Sequence, residues 1–364
     1  MAALLSLRAG PCAGLPVVTR WVGCVVGRGL PLVAMGLLAG CAAALPPPAA
    51  DRANAPLRVV TTVLPMGLFT RAVAGSCAQV EALLPASADL HDLPVTPQLV
   101  GRLRGADVVV FNGLGLETSL EQLLAGGDAP KPRLIVAAAG LDPLPATDSD
   151  HDHDHHQDHP SAHATRSAAA TATTATTATT TAAENPHVWL DPRRAAGQVR
   201  TIRDALAAID PPRAACFRRN AALFLTELER LDRDLARQLA PYAGRPLLSF
   251  HDLAPYFAQR YGLRAESVVD LPEDNPSVAD LTRVADDLRR HQLRGLLVDP
   301  QNERRSFMAL AADLNLRLLP FDPIERADEA QARRPSHYLE AMRRNGAAVV
   351  ESLRSAGGEA PGLR

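Results

Sequence analysis

Residues 106–117 read ADVVVFNGLGLE. Asp107–Phe111 (DVVVF) is a continuous apolar run that ends at Asn112-Gly113, the pattern of a buried strand closed by a turn. Working outward, Leu57–Leu64 (LRVVTTVL) reads as a strand and leads into helical spacing through Phe69 and Val73. Val80–Leu84 is a second strand, Gln98–Arg104 and Leu120–Leu124 are helical, and Arg133–Ala137 is a further strand. Strands that alternate with helices make βαβ units and a mostly parallel sheet. The GLGLE at 113–117 has Gly-x-Gly but lacks a third Gly at dinucleotide spacing, so it reads as a strand-to-helix turn.

The alternation then stops. Asp148–His163 is DSDHDHDHHQDHPSAH, and Ala164–Ala183 is Ala and Thr apart from Arg166 and Ser167. Neither can build a core, and a disordered loop over 146–184 is expected. Order resumes at Asn185-Pro186-His187, with a helix after Pro192. A longer helix begins near Pro212 and runs to about Ala240, with Phe217, Leu223, Phe224, Leu228, Leu231, Leu235 and Leu239 at helical spacing. After Gly244 strands are expected at Pro246–Phe250, Ala265–Leu271, Gly295–Val298 and Leu316–Phe321. Helices are expected at Asp252–Tyr261, Val278–His291, Ser306–Leu314 and His337–Leu353. The expected architecture is α/β: two α/β lobes, 57–211 and 244–354, with mostly parallel sheets, joined by one long rigid helix over 212–243, and a tail at 355–364. A length of 364 residues with 47 % apolar and 21 % charged residues suits two lobes with ample core.

The segment ahead of this fold reads as an address. Gly29–Ala50 carries no charge, follows Arg20 and Arg28, and contains Leu38-Ala39-Gly40-Cys41 before a Pro/Ala-rich stretch. Basic flank, short apolar run and small residues make a secretory signal, 1–41, followed by a tether, 42–56. The Leu-Ala-Gly-Cys sequence looks like a lipobox, with Cys41 acylated and the mature protein held outside the cytoplasm on a lipid anchor. Beyond Cys41 only Cys77 and Cys216 remain; a disulfide in an oxidising compartment and two free thiols are both open. A net charge of −2 with 4 % aromatics argues against a broad nucleic-acid surface. The paired arginines read as solvated helix faces.

Six of the eleven His lie at His151, His153, His155, His156, His159 and His163, interleaved with Asp. Imidazoles and carboxylates in a flexible run can collect metal weakly, in several geometries. Of the other five, His91 and His251 follow strands, His187 lies between the loop and a helix, and Asp322 directly follows the last strand. In open α/β sheets ligands bind beyond the carboxyl ends of strands. Three neutral imidazoles and one carboxylate complete a tetrahedral Zn²⁺ shell. His291 and His337 read as surface or capping residues.

These residues sit in a family pattern. TTVLP (61–65), LHDLPVTP (90–97), ADVVVFNGLGLE (106–117), NPHVWLDP (185–192), SFHDLAPYFAQRYGL (249–263), VDPQNERRS (298–306) and PFDPIE (320–325) resemble the metal-specific solute-binding proteins of ABC importers, the TroA/ZnuA-like group. The resemblance implies a metal held between two lobes by His91, His187, His251 and Asp322. It implies partners as well: an ABC permease with its ATPase, and the membrane through the lipid anchor. A monomer is expected. A His-rich acidic loop before the second ligand, and His251 rather than a carboxylate at the third, both imply Zn²⁺ as cargo rather than Mn²⁺. Two motifs depart from the pattern: Leu90 precedes His91 where Pro is common, and FDPIE stands where LDPL is common. The same four ligands could hold a catalytic zinc, but there is no HExxH, so the expected protein is a binding protein and not an enzyme. An adhesin would not need the full ligand set.

Overall fold

The computed structural model describes residues 55–88, 96–126, 131–146, 184–249, 254–267, 293, 295–301 and 317–354, with isolated helical positions at Thr282, Asp286, Arg290 and Ala312. The expected signal with lipobox Cys41, the tether up to residue 54, the expected loop apart from its end residues Ala146 and Glu184, and the C-terminal tail lie outside these residues, as do His91, His251 and His291.

The first sheet holds β1 (Leu57–Thr61), β2 (Ala78–Ala82), β3 (Val108–Phe111) and β4 (Arg133–Val136), in the order β2-β1-β3-β4. The second holds β5 (Pro246–Ser249), β6 (Arg264–Ser267), β7 (Gly295–Val298) and β8 (Arg317–Pro320), in the order β6-β5-β7-β8. Every pairing is parallel. The two sheets therefore repeat one winding, in which the first strand sits beside both the second and the third. That places a switch point between β1 and β3 and another between β5 and β7. Loops diverge there and leave a crevice beyond the strand ends.

Around the sheets lie α1 (Leu64–Ala74), α2 (Pro97–Arg104), α3 (Thr118–Ala125), α4 (Pro192–Ile209), α5 (Ala214–Leu239), α6 (Pro255–Arg260), α7 (Glu329–Ala332) and α8 (Ser336–Arg354). Proline opens α2, α4 and α6, where its missing N–H has no partner to lose. Thr96 caps α2 by accepting from Leu99 N–H at 3.2 Å, and Asp191 caps α4 by accepting from Arg193 N–H at 2.8 Å. Both alternating sets of β3 are buried: Val108 and Val110 join the main core, and Val109 and Phe111 join a second cluster with Leu99, Leu103 and Leu120. The main core runs from Val59 and Phe69 through α5 to Leu247, Phe321 and Tyr338, so both sheets share it.

α5 has 26 residues and spans about 39 Å at 1.5 Å per residue. It buries Phe217, Phe224, Leu228, Leu231, Leu235 and Leu239 as expected, but Leu223 is 68 % exposed. Leu225, two positions on, faces the core instead, because the buried stripe advances by three and four residues and passes over 223. Cys77 and Cys216 form a disulfide that ties the turn after α1 to the first turn of α5. Asn220 donates to the carbonyls of Val73 and Ala74 at the same corner.

Other boundaries moved. β1 stops at Thr61 because Pro65 sits in the first turn of α1. β2 begins two residues earlier than expected and ends at Ala82; Leu83 is buried beyond the strand. β6 starts at Arg264, one residue early, and residues 268–271 of the expected strand are outside the described set. Of the expected helix Val278–His291, only Thr282, Asp286 and Arg290 are described, all helical. His337 is not a surface or capping residue. It is 2 % exposed at the start of α8, and neither ring nitrogen has a hydrogen-bond partner. Burial depresses its pKa from the ordinary 6.5.

Candidate metal centre

The first wall of the crevice is built where β3 ends. Gly113, Leu114 and Gly115 all take positive φ, at 91°, 58° and 79°, and this left-handed run reverses the chain so that Glu117 points back at the strand ends. Its carboxylate accepts from Thr62 Oγ1 at 2.6 Å, Asn112 N–H at 2.8 Å and Gly113 N–H at 3.0 Å. Thr62 follows β1 and Asn112 follows β3, so Glu117 closes the first switch point. Burial outweighs these bonds and pushes the Glu117 carboxyl above its ordinary pKa. Asn112 extends the frame: its amide donates to Pro186 C=O at 3.0 Å, and its carbonyl accepts from Gln198 on α4 at 2.8 Å.

Pro186 brings in His187, which is 9 % exposed. Asn185 Oδ1 accepts from His187 backbone N–H at 3.0 Å and lies 2.9 Å from His187 Nδ1. A backbone N–H can only donate, so the atom it meets is oxygen, and Nδ1 must carry the proton it shares with that oxygen. Nε2 is the ring nitrogen left facing outward. It lies 2.8 Å from Oε1 of Glu325, on the loop beyond β8 in the second half of the chain. A proton holds such a pair together. A divalent cation can replace it, because both atoms then present lone pairs to one point.

The loops that carry these groups are stitched together. Trp189 Nε1 donates to Pro323 C=O at 2.8 Å, and Tyr338 Oη donates to Trp189 C=O at 2.6 Å. Asp322, between β8 and Pro323, builds its own turn. Its Oδ1 accepts from Ile324 N–H at 2.8 Å, its N–H donates to Asn345, and its Oδ2 lies 3.6 Å from the Arg344 guanidinium. Ile324 takes φ 62°, a strained conformation for a β-branched residue, and this kink swings Glu325 toward His187. Asp299, after β7, holds the next residue through Arg326 at 3.2 Å.

Of the expected ligands, His187 and Asp322 are described. The structure brings their loops together and puts Glu325, not Asp322, against the His187 ring. Among the described residues no group of three or more His, Cys, Asp or Glu side chains could hold an ion.

A profile of the family described as zinc-uptake complex component A, periplasmic (ZnuA), matches residues 59–352. The chain belongs to this family. It is 26 % identical over 295 residues to the zinc-binding lipoprotein AdcA of Streptococcus pneumoniae, covering 81 % of this chain and 55 % of AdcA. The chain thus spans about half the length of the first curated relatives it matches. It is 27 % identical over 322 residues to the high-affinity zinc uptake system protein ZnuA of Bacillus subtilis, covering 87 % of this chain and 94 % of that protein. The crystal structure of the Zn(II)-bound ZnuA-like domain of S. pneumoniae AdcA shares the fold, with a TM-score of 0.65, 24 % identity, and coverage of 82 % of this chain and 99 % of that one.

Within this ZnuA-family frame, three residues carry more than the sequence revealed. Glu325 lies inside the PFDPIE segment, but only the left-handed Ile324 tells which of its two acids turns toward His187. Asn185 preceded His187 by two positions, and its role needs the ring geometry. Tyr256 is 0 % exposed on α6, with the Arg194 guanidinium 5.0 Å from its ring centre. Nothing in its spacing marked it.

Proposed function

We propose that this chain is an extracytoplasmic receptor that captures Zn²⁺ between its two lobes and delivers it to an ABC-type permease and its ATPase. The observation that carries this reading is His187 Nε2 facing the Glu325 carboxylate across the seam between the halves. It is supported by zinc-named relatives and by His91 and His251, which follow strands in the first and second halves. Three imidazoles favour Zn²⁺ over the oxygen-seeking Mn²⁺. The fourth donor is a carboxylate of the 322–325 turn. Asp322 fits the family pattern, whereas the contact with His187 favours Glu325. We read 57–211 and 244–354 as the lobes and 212–243 as the linking helix. Cys41 anchors the chain to the membrane, and His151, His153, His155, His156, His159 and His163 collect metal for the main site. The protein acts as a monomeric binding protein, not an enzyme.

The test is Zn²⁺ titration with Mn²⁺ competition on the chain from residue 51, with and without 148–183. One tight zinc ion that survives the deletion and resists manganese supports the receptor. Loss of tight binding on deletion would move the metal chemistry to the loop and overturn the four-donor site. Slower loading without the segment, at unchanged affinity, is expected if the loop collects ions for His187.

A further inference from the structure

Leu144 and Asn185 face each other beside the antiparallel bridge Pro145–Glu184, at the neck from which residues 146–183 depart. Two such residues ordinarily exchange both backbone hydrogen bonds directly. Here one is direct, Asn185 N–H to Leu144 C=O at 2.9 Å. The other runs through the Tyr256 hydroxyl, which accepts from Leu144 N–H at 2.9 Å and donates to Asn185 C=O at 2.6 Å. Tyr256 belongs to α6, in the second half of the chain, and reaches across to complete a bond in the first. The residue it grips is the one whose side chain orients His187.

We propose that Tyr256 is a positioning residue for metal capture. Its hydroxyl fixes Asn185, and Asn185 fixes the His187 ring with the proton on Nδ1 and the lone pair of Nε2 aimed at the ion. The second lobe thereby sets the orientation of a ligand in the first. Partners that hold a metal-binding imidazole by its other nitrogen change metal affinity about 10–100-fold when lost. Tyr256 acts one step further out, so the lower end applies.

This inference rests on the zinc-receptor reading, and its test separates the two. Tyr256→Phe keeps the ring and removes only the hydroxyl. In the metal-free full chain, the ¹H and ¹⁵N signals of the His187 Nδ1–H report whether Asn185 holds that proton, whether or not zinc binds. We expect the wild type to show a hydrogen-bonded, slowly exchanging Nδ1–H and Y256F to lose that protection, with Zn²⁺ affinity about tenfold lower. Asn185→Ala removes the acceptor between the hydroxyl and the ring, so it should lose the protection with Tyr256 in place, even if Y256F fails to fold. A folded Y256F with unchanged protection and affinity would overturn the proposal, as would a lower melting temperature alone. A protected Nδ1–H in N185A would overturn it too. A wild type that binds no zinc tightly, yet loses the protection in both variants, would instead overturn the receptor reading.

Discussion

Replacing both Cys77 and Cys216 by Ala should lower the unfolding free energy by about 2–5 kcal/mol. The bridge spans a sequence separation of 139 residues. Confining a loop of that length in the unfolded chain is worth about 5 kcal/mol at 25 °C from chain entropy alone, and measured losses commonly fall below that ceiling. In the folded protein the corner should stay docked without the bridge. Asn220 still holds the Val73 and Ala74 carbonyls, and Phe217 and Ala221 remain in the core. The effect therefore falls mainly on the unfolded chain. The bridge also lies at the edge where β2 begins, opposite the strand ends that carry the proposed metal site, so Zn²⁺ affinity should not change. Urea unfolding followed by circular dichroism, beside a zinc titration, measures both. A loss below about 1 kcal/mol would refute the entropic argument, and a shifted zinc affinity would refute the separation of bridge from site.

Glu325→Gln should weaken Zn²⁺ binding at least tenfold more than Asp322→Asn if Glu325 supplies the donor, as direct titration of both variants will show; the reverse order returns the role to Asp322. His337 is buried neutral with a depressed pKa, so the unfolded chain takes up its proton more readily, and the stability it contributes is present above pH 6.5 and lost as pH falls below it. His337→Leu should flatten that decline in urea midpoints between pH 7.5 and 5, and an unaltered slope counts against it. Gly346→Ala drives a Cβ into Leu235 Cδ2, where α8 crosses α5, and should cost about 1–3 kcal/mol in the same unfolding assay. A neutral result would mean the two helices part freely.

The fold was legible because parallel strands buried on both faces leave unbroken apolar runs. Val108–Phe111 and Gly295–Val298 stand out for that reason alone. Element ends were less legible, since they depend on where a helix can start: Pro65 cut β1 short by fixing the first turn of α1. The α5 stripe misplaced Leu223 because an apolar residue can lie beside a buried stripe without joining it. Within the candidate site, His187 and Asp322 were singled out by their positions beyond the loop and the last strand. Glu325 was not, because the choice between the two acids is made by the φ of Ile324. His337 was misread because a histidine near a helix start looks the same in sequence whether it caps or is buried.

The neck at Leu144 and Asn185 has a consequence for what can be inserted above it. Its two chains are joined by a direct hydrogen bond and by Tyr256, so the ends of the intervening segment are held at a fixed distance whatever lies between them. The entropy of closing such a loop rises by only about 0.6 kcal/mol for each doubling of its length. The stretch between Pro145 and Glu184 can therefore be lengthened, shortened or replaced with little effect on His187. Repetitive sequence such as the Ala/Thr run can accumulate at this point of the chain without strain reaching the fold.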